Sequence, residues 1–361
     1  RYASGSFDHS IIILDSVTGQ AEQALKGHTG KVNSVSWSPD GKRLASGSLD
    51  STVRIWNVSI GKVEPTPEVQ KKKSSVTSLS WSPHSQGLAI GFEAGKVQIW
   101  DEDTNSSKNQ EEHQHEGSVW SVSWNPGDQK KGILASAGQD GEVKVTSAIS
   151  GAIWKVSNPE KPPTQMGAVK AVAWSPDGTR LATGSKNGRI EIFKIAKERE
   201  SELVFEQVLL GHNNSVYCVC WSPDGKRLAS GSSGGTLRIW NADTGKPFSS
   251  SRKESGAIHS ISWSRVVNKL IYSVGKEVKE YPLQTPGSPN STAGEGEQTL
   301  KGETKPVDTG GDETTPGEPK PDETAPPGPT PGESGAGDSP PPSPKPDENR
   351  LGVGAVDSQR R

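Results

Sequence analysis

Only a few groups in this sequence sit where residue type and spacing could do chemistry. His113 and His115 lie two apart beside Glu111 and Glu112, so on an extended segment both imidazoles point one way and could hold a metal. His28 and Asp50 could pair as an imidazole base and the carboxylate that orients it. Cys218 and Cys220 share one side of a strand, a spacing poorly suited to a disulfide, and read as two reduced, buried thiols. The GSSGG run at 231–235 is followed by no lysine in the register of a phosphate loop and opens no helix. No Gly-x-Ser-x-Gly elbow stands between a strand and a helix. Lys71, Lys72 and Lys73 form a short basic run that reads as a solvated loop, and a net charge of -2 supplies no concentrated field for phosphates. No stretch reaches the roughly 18 apolar residues of a membrane helix. Charge and hydropathy give the expectation of no nucleic-acid or membrane partner.

The elements that would position these groups come from a repeat. Eleven Trp against five Phe suggest that Trp recurs at one structural position. The segment WSPDGKRLASGS stands at 37–48 and again, letter for letter, at 221–232. Weaker copies are centred on Trp81, Trp124, Trp174 and Trp263, so successive tryptophans step by 44, 43, 50, 47 and 42 residues. Within one unit, KVNSVSW alternates β-formers with small polar residues and stops at Ser38-Pro39-Asp40-Gly41. RLASGS, a turn at Leu49-Asp50-Ser51, TVRIWN and a less regular segment after Gly61 follow. Connections this short require antiparallel pairing, so each unit predicts four short strands.

Gly27-His28, Ser46, Asp50 and Trp56-Asn57 resemble the Gly-His, Ser, Asp and Trp-Asp signature of WD repeats. The resemblance covers residues 2 to about 282. It implies a closed, all-β seven-bladed WD-repeat β-propeller in which His28, Ser46, Asp50 and Trp56 form a buried structural relay. His28 and Asp50 then have a packing role, and His115 becomes the relay histidine of its own blade, so the resemblance implies no catalytic residue, no metal and no cofactor. Other copies depart from the pattern. The unit at 212–241 keeps His212, Ser230 and Trp240 but has Gly234 for the Asp. The unit at 168–194 has Asn187 and Phe193 for Asp and Trp and lacks the His. The unit from 115 keeps Asp140 but has Thr146 for Trp, and the last has Tyr281. These blades are expected to be held mainly by packing.

Residues 2–26 read as the second to fourth strands of a blade lacking its innermost strand. Residues 257–282 read as the first three strands of another, lacking its outermost. The missing inner strand is expected upstream of Arg1 in the parent chain, since an open ring leaves unpaired edges. The division is therefore 1–284 as propeller and 285–361 as a disordered tail dense in Pro, Gly, Glu, Asp, Ser and Thr. Ser288, Thr315, Thr330, Ser339 and Ser343 precede prolines and could be phosphorylated, and PPPSPKP at 340–346 could enter a proline-binding groove. Asn57, Asn105, Asn213 and Asn290 open glycosylation sequons that matter only in a secreted chain, which the cysteines argue against.

Partners of this family usually dock where each innermost strand begins and where the second and third strands turn. By register the first position recurs as Asn33, Thr77, Trp120, Lys170, Tyr217 and His259, with Lys31 beside it, and the turn position as Phe7, Leu49, Glu93, Gln139, Lys186 and Ser233. Trp120 stands outside the core register of Trp124, and with Tyr217, His259, Phe7 and Leu49 would place aromatic and apolar surface around the channel; packing between blades is the other reading of Trp120. The function expected is a non-catalytic scaffold, a monomer or part of a larger complex, recognising a protein or peptide inside the cell. The repeats also resemble the sensor propellers of nucleotide-switch receptors, and a small-molecule hydrolase working through channel residues is the enzyme alternative.

Overall fold

The computed structural model describes residues 1–64, 74–83, 87–101, 104, 106–109, 113–127, 132–157, 167–196, 201–248, 252–264, 269–275, 277–283 and 299–300. The lysine run at 71–73, Glu111, Glu112, Asn105, Asn290, the five Ser-Pro and Thr-Pro sites and the PPPSPKP motif lie outside the described residues.

Local chemistry sets the strand ends. Val32–Trp37 runs into a turn in which Gly41 has φ 68°, a conformation that disfavours a side chain. Here the Ser38 hydroxyl accepts the Arg43 amide at 2.9 Å and donates to Asp40 at 2.5 Å. The same device recurs as Ser175, Asp177 and Arg180 and as Ser222, Asp224 and Arg227. Arg43–Ser48 then returns antiparallel to Val32–Trp37, Val53–Asn57 pairs with it, and the short Lys62–Val63 forms the outer edge.

Among the described residues this unit recurs as seven antiparallel sheets in chain order, the fourth and fifth joined into one eight-stranded sheet. The join is a parallel pairing of their outermost strands, Ile153–Ser157 and Glu202–Leu209. The first sheet has three strands, Tyr2–Gly5, Ile11–Leu14 and Ala21–Leu25, and begins at the second-strand position. The last sheet corrects an expectation. Its outermost strand is present, because Thr299–Leu300 pairs with Val278 and Lys279 of Glu277–Pro282. Two residues inside a Gly- and Pro-rich stretch carry no period, so composition hid a strand that closes an otherwise open edge.

Each first strand lies against the first strand of the next sheet, and serine hydroxyls join them. Ser34 and Ser36 accept the amides of Leu79 and Trp81 at 3.0 and 3.2 Å, Ser78 and Ser80 accept those of Val122 and Trp124 at 3.1 and 3.2 Å, and Ser121 accepts that of Val172 at 3.2 Å. The small polar residues that alternate in VNSVSW are thus joints between sheets. Arginines at the start of second strands reach across the same boundaries, Arg43 over Trp81, Arg180 over Trp221 and Arg227 over Trp263 at 4.8–5.1 Å. Tyr2 and Leu14 of the first sheet pack with Ile271 of the last. This is a β-propeller.

Candidate functional site

The polar and aromatic side chains fall into two groups, the relays inside the sheets and the rim on one face. In the second sheet the relay runs in one direction. The Trp56 indole donates to Ser46 Oγ at 2.7 Å, Ser46 lies 2.7 Å from His28 Nε2, and His28 Nδ1 lies 2.9 Å from Asp50. The Asp50 carboxylate can only accept, so the neutral His28 ring holds its proton on Nδ1 and its Nε2 accepts from the Ser46 hydroxyl. Burial would push the Asp50 carboxyl up, but hydrogen bonds from Thr52, the Thr29 amide and His28 together outweigh it and hold it at about 2. Burial also lowers the His28 pKa and keeps the ring neutral. All four members are buried or nearly so, and the dyad geometry is turned inward.

The fourth sheet is bonded more completely than its sequence implied. His115 Nδ1 meets Asp140 at 2.9 Å and Nε2 meets Ser136 Oγ at 2.8 Å. Where the indole is missing, His113 takes its place, with Nδ1 2.6 Å from Ser136 Oγ and Nε2 2.6 Å from Thr146 Oγ1. Both imidazoles are consumed by this chain, and burial, then the neighbouring His115, lowers His113 to about 3. Among the described residues no group of three or more His, Cys, Asp or Glu could hold a metal.

The last sheet carries a relay that reading the motif missed. Glu254 stands nine residues before Trp263, as His28 stands nine before Trp37, and Tyr272 occupies the register of Ser46. The Tyr272 hydroxyl donates to Glu254 at 2.7 Å, with Arg252 at 2.7 Å and Lys279 at 3.1 Å. Burial raises the Glu254 carboxyl, yet these donors outweigh it and lower its pKa. Counting back from each tryptophan finds Glu254; matching letters does not. In the sixth sheet His212 Nε2 meets Ser230 at 2.7 Å and Trp240 donates to Ser230 at 2.8 Å, while His212 Nδ1 meets no partner among the described residues.

The rim is positioned by one backbone bond that recurs in five sheets. The amide of the turn residue donates to the carbonyl just before the first strand: Leu49 to Lys31, Glu93 to Ser75, Gln139 to Ser118, Lys186 to Ala168 and Ser233 to Ser215, at 2.8–3.0 Å. The two predicted series therefore come together side by side on one face. Leu49, Glu93, Gln139 and Lys186 are exposed, and Lys31 stands over the Phe7 ring at 4.5 Å. Across the fourth to seventh sheets a ladder forms. The Lys170 ammonium lies 3.4 Å from the Trp120 ring centroid and 5.8 Å from that of Tyr217, and Tyr217 stacks on His259 at 5.4 Å. Thr77 is a correction, since it is buried and donates into the joint with the next sheet, to the Val119 carbonyl at 2.5 Å. Asn33 likewise ties two sheets, donating to the Val76 carbonyl at 2.8 Å, and His259 is buried beneath Tyr217.

Comparison with known proteins agrees with this architecture. The family model "WD domain, G-beta repeat" matches residues 19–57 and 203–241, and that of the "Anaphase-promoting complex subunit 4 WD40 domain" matches 66–126 and 122–207. The chain belongs to the WD-repeat family. Among its WD-repeat relatives, WD repeat-containing protein 1 of Mus musculus is 42% identical over 69 residues, 18% of this chain and 11% of that protein. The serine-threonine kinase receptor-associated protein of Dictyostelium discoideum is 43% identical over 56 residues, 16% of this chain and 19% of that protein. A periodic tryptophan protein 2 homolog of Schizosaccharomyces pombe is 49% identical over 67 residues, 18% of this chain and 8% of that protein. The matched segment is thus a small part of each relative. The computationally designed Ika8 protein shares the fold with a TM-score of 0.59 at 23% identity, covering 78% of this chain and 80% of that one. Among the described residues no helix of this WD-repeat chain is long and apolar enough to cross a membrane.

Proposed function

We propose that this WD-repeat chain is a non-catalytic, intracellular recognition scaffold, a ring of seven blades whose last sheet takes in Thr299–Leu300 beyond the expected boundary at 284, that binds a protein or peptide on the rim. The observation that carries this reading is the ladder of Trp120, Lys170, Tyr217 and His259, in which two half-buried rings and a cation span three consecutive sheets and stack on a buried imidazole in the next. Aromatic side chains held rigidly by their neighbours lose little entropy on binding and are the usual anchors of recognition surfaces. A hydrolytic reading has less support, because His28, His113, His115, Asp50 and Asp140 are committed to one another within the sheets. Affinity capture with the full chain, compared with Trp120→Ala and Tyr217→Ala, tests the proposal. We expect each substitution to weaken partner capture at least tenfold while the melting temperature stays within about 3 °C. Loss of the fold in Trp120→Ala, with capture unaffected in Tyr217→Ala, would assign the ladder to packing.

A further inference from the structure

In the second to seventh sheets the second strand is flanked on its inner side by a first strand, and these six first strands begin alike. Each pairing carries a register shift after the first core residue, as between Val32 and Ser34 or between Val216 and Cys218. This is a β-bulge, with a β-branched residue kept in the core and a small one following the extra residue. The six starts share one five-residue pattern: Gly, Ser or Asn; Lys, Ser or Ala; Val or Ile; any residue; then Ser, Ala or Cys. Over all 361 residues the pattern occurs seven times. Six of these are the strand starts, and the seventh is Gly354-Ala355-Val356-Asp357-Ser358, which lies outside the described residues.

The first sheet has no such strand among the described residues. There its Tyr2–Gly5 pairs with Ile11–Leu14 alone, yet all four residues are buried. We propose that this inner edge is a strand-binding site and that the chain's own residues 354–358 occupy it, in place of the upstream strand expected from the repeat. Buried amides and carbonyls without partners are costly, and a strand added to a sheet edge satisfies them. By register Val356 stands opposite Ser6 as Val32 stands opposite Ser48, and Ser358 opposite Gly5 as Ser34 stands opposite Gly47. Two further bonds follow. The Phe7 amide, placed as that of Leu49 is, would meet the Ala355 carbonyl, and the Ser358 hydroxyl, placed as that of Ser34 is, would accept the Val35 amide.

The match ends at Ser358. Gln359, Arg360 and Arg361 stand where the other first strands carry an aliphatic residue, a small residue and Trp. Tyr2 compensates for that tryptophan. In each of the other six sheets the residue opposite the Trp is Leu, as Leu44 is opposite Trp37. The first sheet instead has Tyr2 in the register of Leu44, and it is 1% exposed. Bulk has moved from the inner strand to its neighbour, so the edge is shaped for a strand without the indole. An ordinary copy of the repeat would press a second large ring against Tyr2. Length is no obstacle. Between Leu300 and Gly354 lie 53 residues, whose full extension at about 3.3 Å per residue is roughly 170 Å, and the entropy of closing a loop grows only slowly with its length.

Amide hydrogen exchange and thermal unfolding of the full chain test this. In the unmodified protein the amides of 355–358 are expected to exchange at least roughly tenfold more slowly than in an unstructured chain. Val356→Asp places a carboxylate on the core face of the added strand. It is expected to lower the melting temperature by roughly 5 °C and to speed exchange at Phe7 and Val35 about tenfold. A free peptide of sequence 352–360 should restore that protection to the variant, and the same peptide with Asp at its second valine should not. Should Val356→Asp fail to fold, exchange of 355–358 in the unmodified chain decides by itself. Unprotected amides at 355–358, or a Val356→Asp chain that melts and exchanges like the unmodified one, would overturn the proposal. Protection that rises with protein concentration, together with a dimer in sedimentation, would hand the segment to a second copy and overturn its assignment to the same chain. None of these readouts depends on Trp120 or on rim binding.

Discussion

The second and sixth sheets share an identical twelve-residue core and nonetheless end in different chemistry. Both place a histidine, a serine and a tryptophan in the same bonds at 2.7–2.8 Å. Only the second adds a carboxylate, and with it two backbone amides and the Thr52 hydroxyl are satisfied as well. A relay of this kind is an all-or-none device: its stabilisation comes less from each bond than from leaving no buried group unpaired. Sheet six keeps three members and leaves one nitrogen waiting.

The comparison breaks most visibly at the shared serine. Ser46→Ala leaves the indole N–H and an imidazole nitrogen unpaired in a chain that is otherwise complete, and is expected to cost about 3 kcal/mol by denaturant unfolding. Ser230→Ala removes the same atoms from a chain already interrupted, and about half that loss is expected. Equal losses would mean that the two relays are equivalent despite Gly234. A smaller effect is expected from Asn214→Gly with Gly234→Asp, which should gain about 1–2 kcal/mol, whereas Gly234→Asp alone should gain less because Asn214 stands in the way.

Acid sharpens the same contrast. Burial lowers the pKa of His28, His113, His115 and His212, so the unfolded chain binds protons that the folded chain refuses, and stability falls as pH drops below the ordinary histidine range. For His212 the loss continues down to about 4, its folded value, and for His113 to about 3. Asp50, held at about 2, adds a loss that begins only near the unfolded carboxylate value and runs down through about 2. Melting temperature against pH should therefore decline from about pH 6.5 downward, and installing an aspartate beside His212 should flatten the decline above pH 4. A curve flat across that range would contradict the buried, neutral state of these rings.

Much of the molecule was legible because the repeat writes its own register. Strand order follows from one unit read carefully, and the relay of His28, Ser46, Asp50 and Trp56 from the resemblance of that unit to WD repeats. What escaped did so for physical reasons. His113 replaces an indole from two residues before the relay histidine, a solution available only once the chain folds Thr146 beneath it. Glu254 and Tyr272 keep the geometry and change the letters. Thr77 carries the right register for the rim, yet a β-branched hydroxyl there finds a carbonyl across the joint and turns inward. Thr299–Leu300 is too short to show a period at all.

The parallel pairing of Ile153–Ser157 with Glu202–Leu209 has a mechanical meaning. In stacked repeats each module ordinarily yields on its own, since only neighbouring faces couple it to the rest. Here two neighbours are also laced at their far edges, with Trp154, Val156, Leu203 and Phe205 packed in one cluster. Amide protons in the two modules should then exchange in a single cooperative opening, making this pair the hinge-free segment of the circle around which the remaining modules breathe.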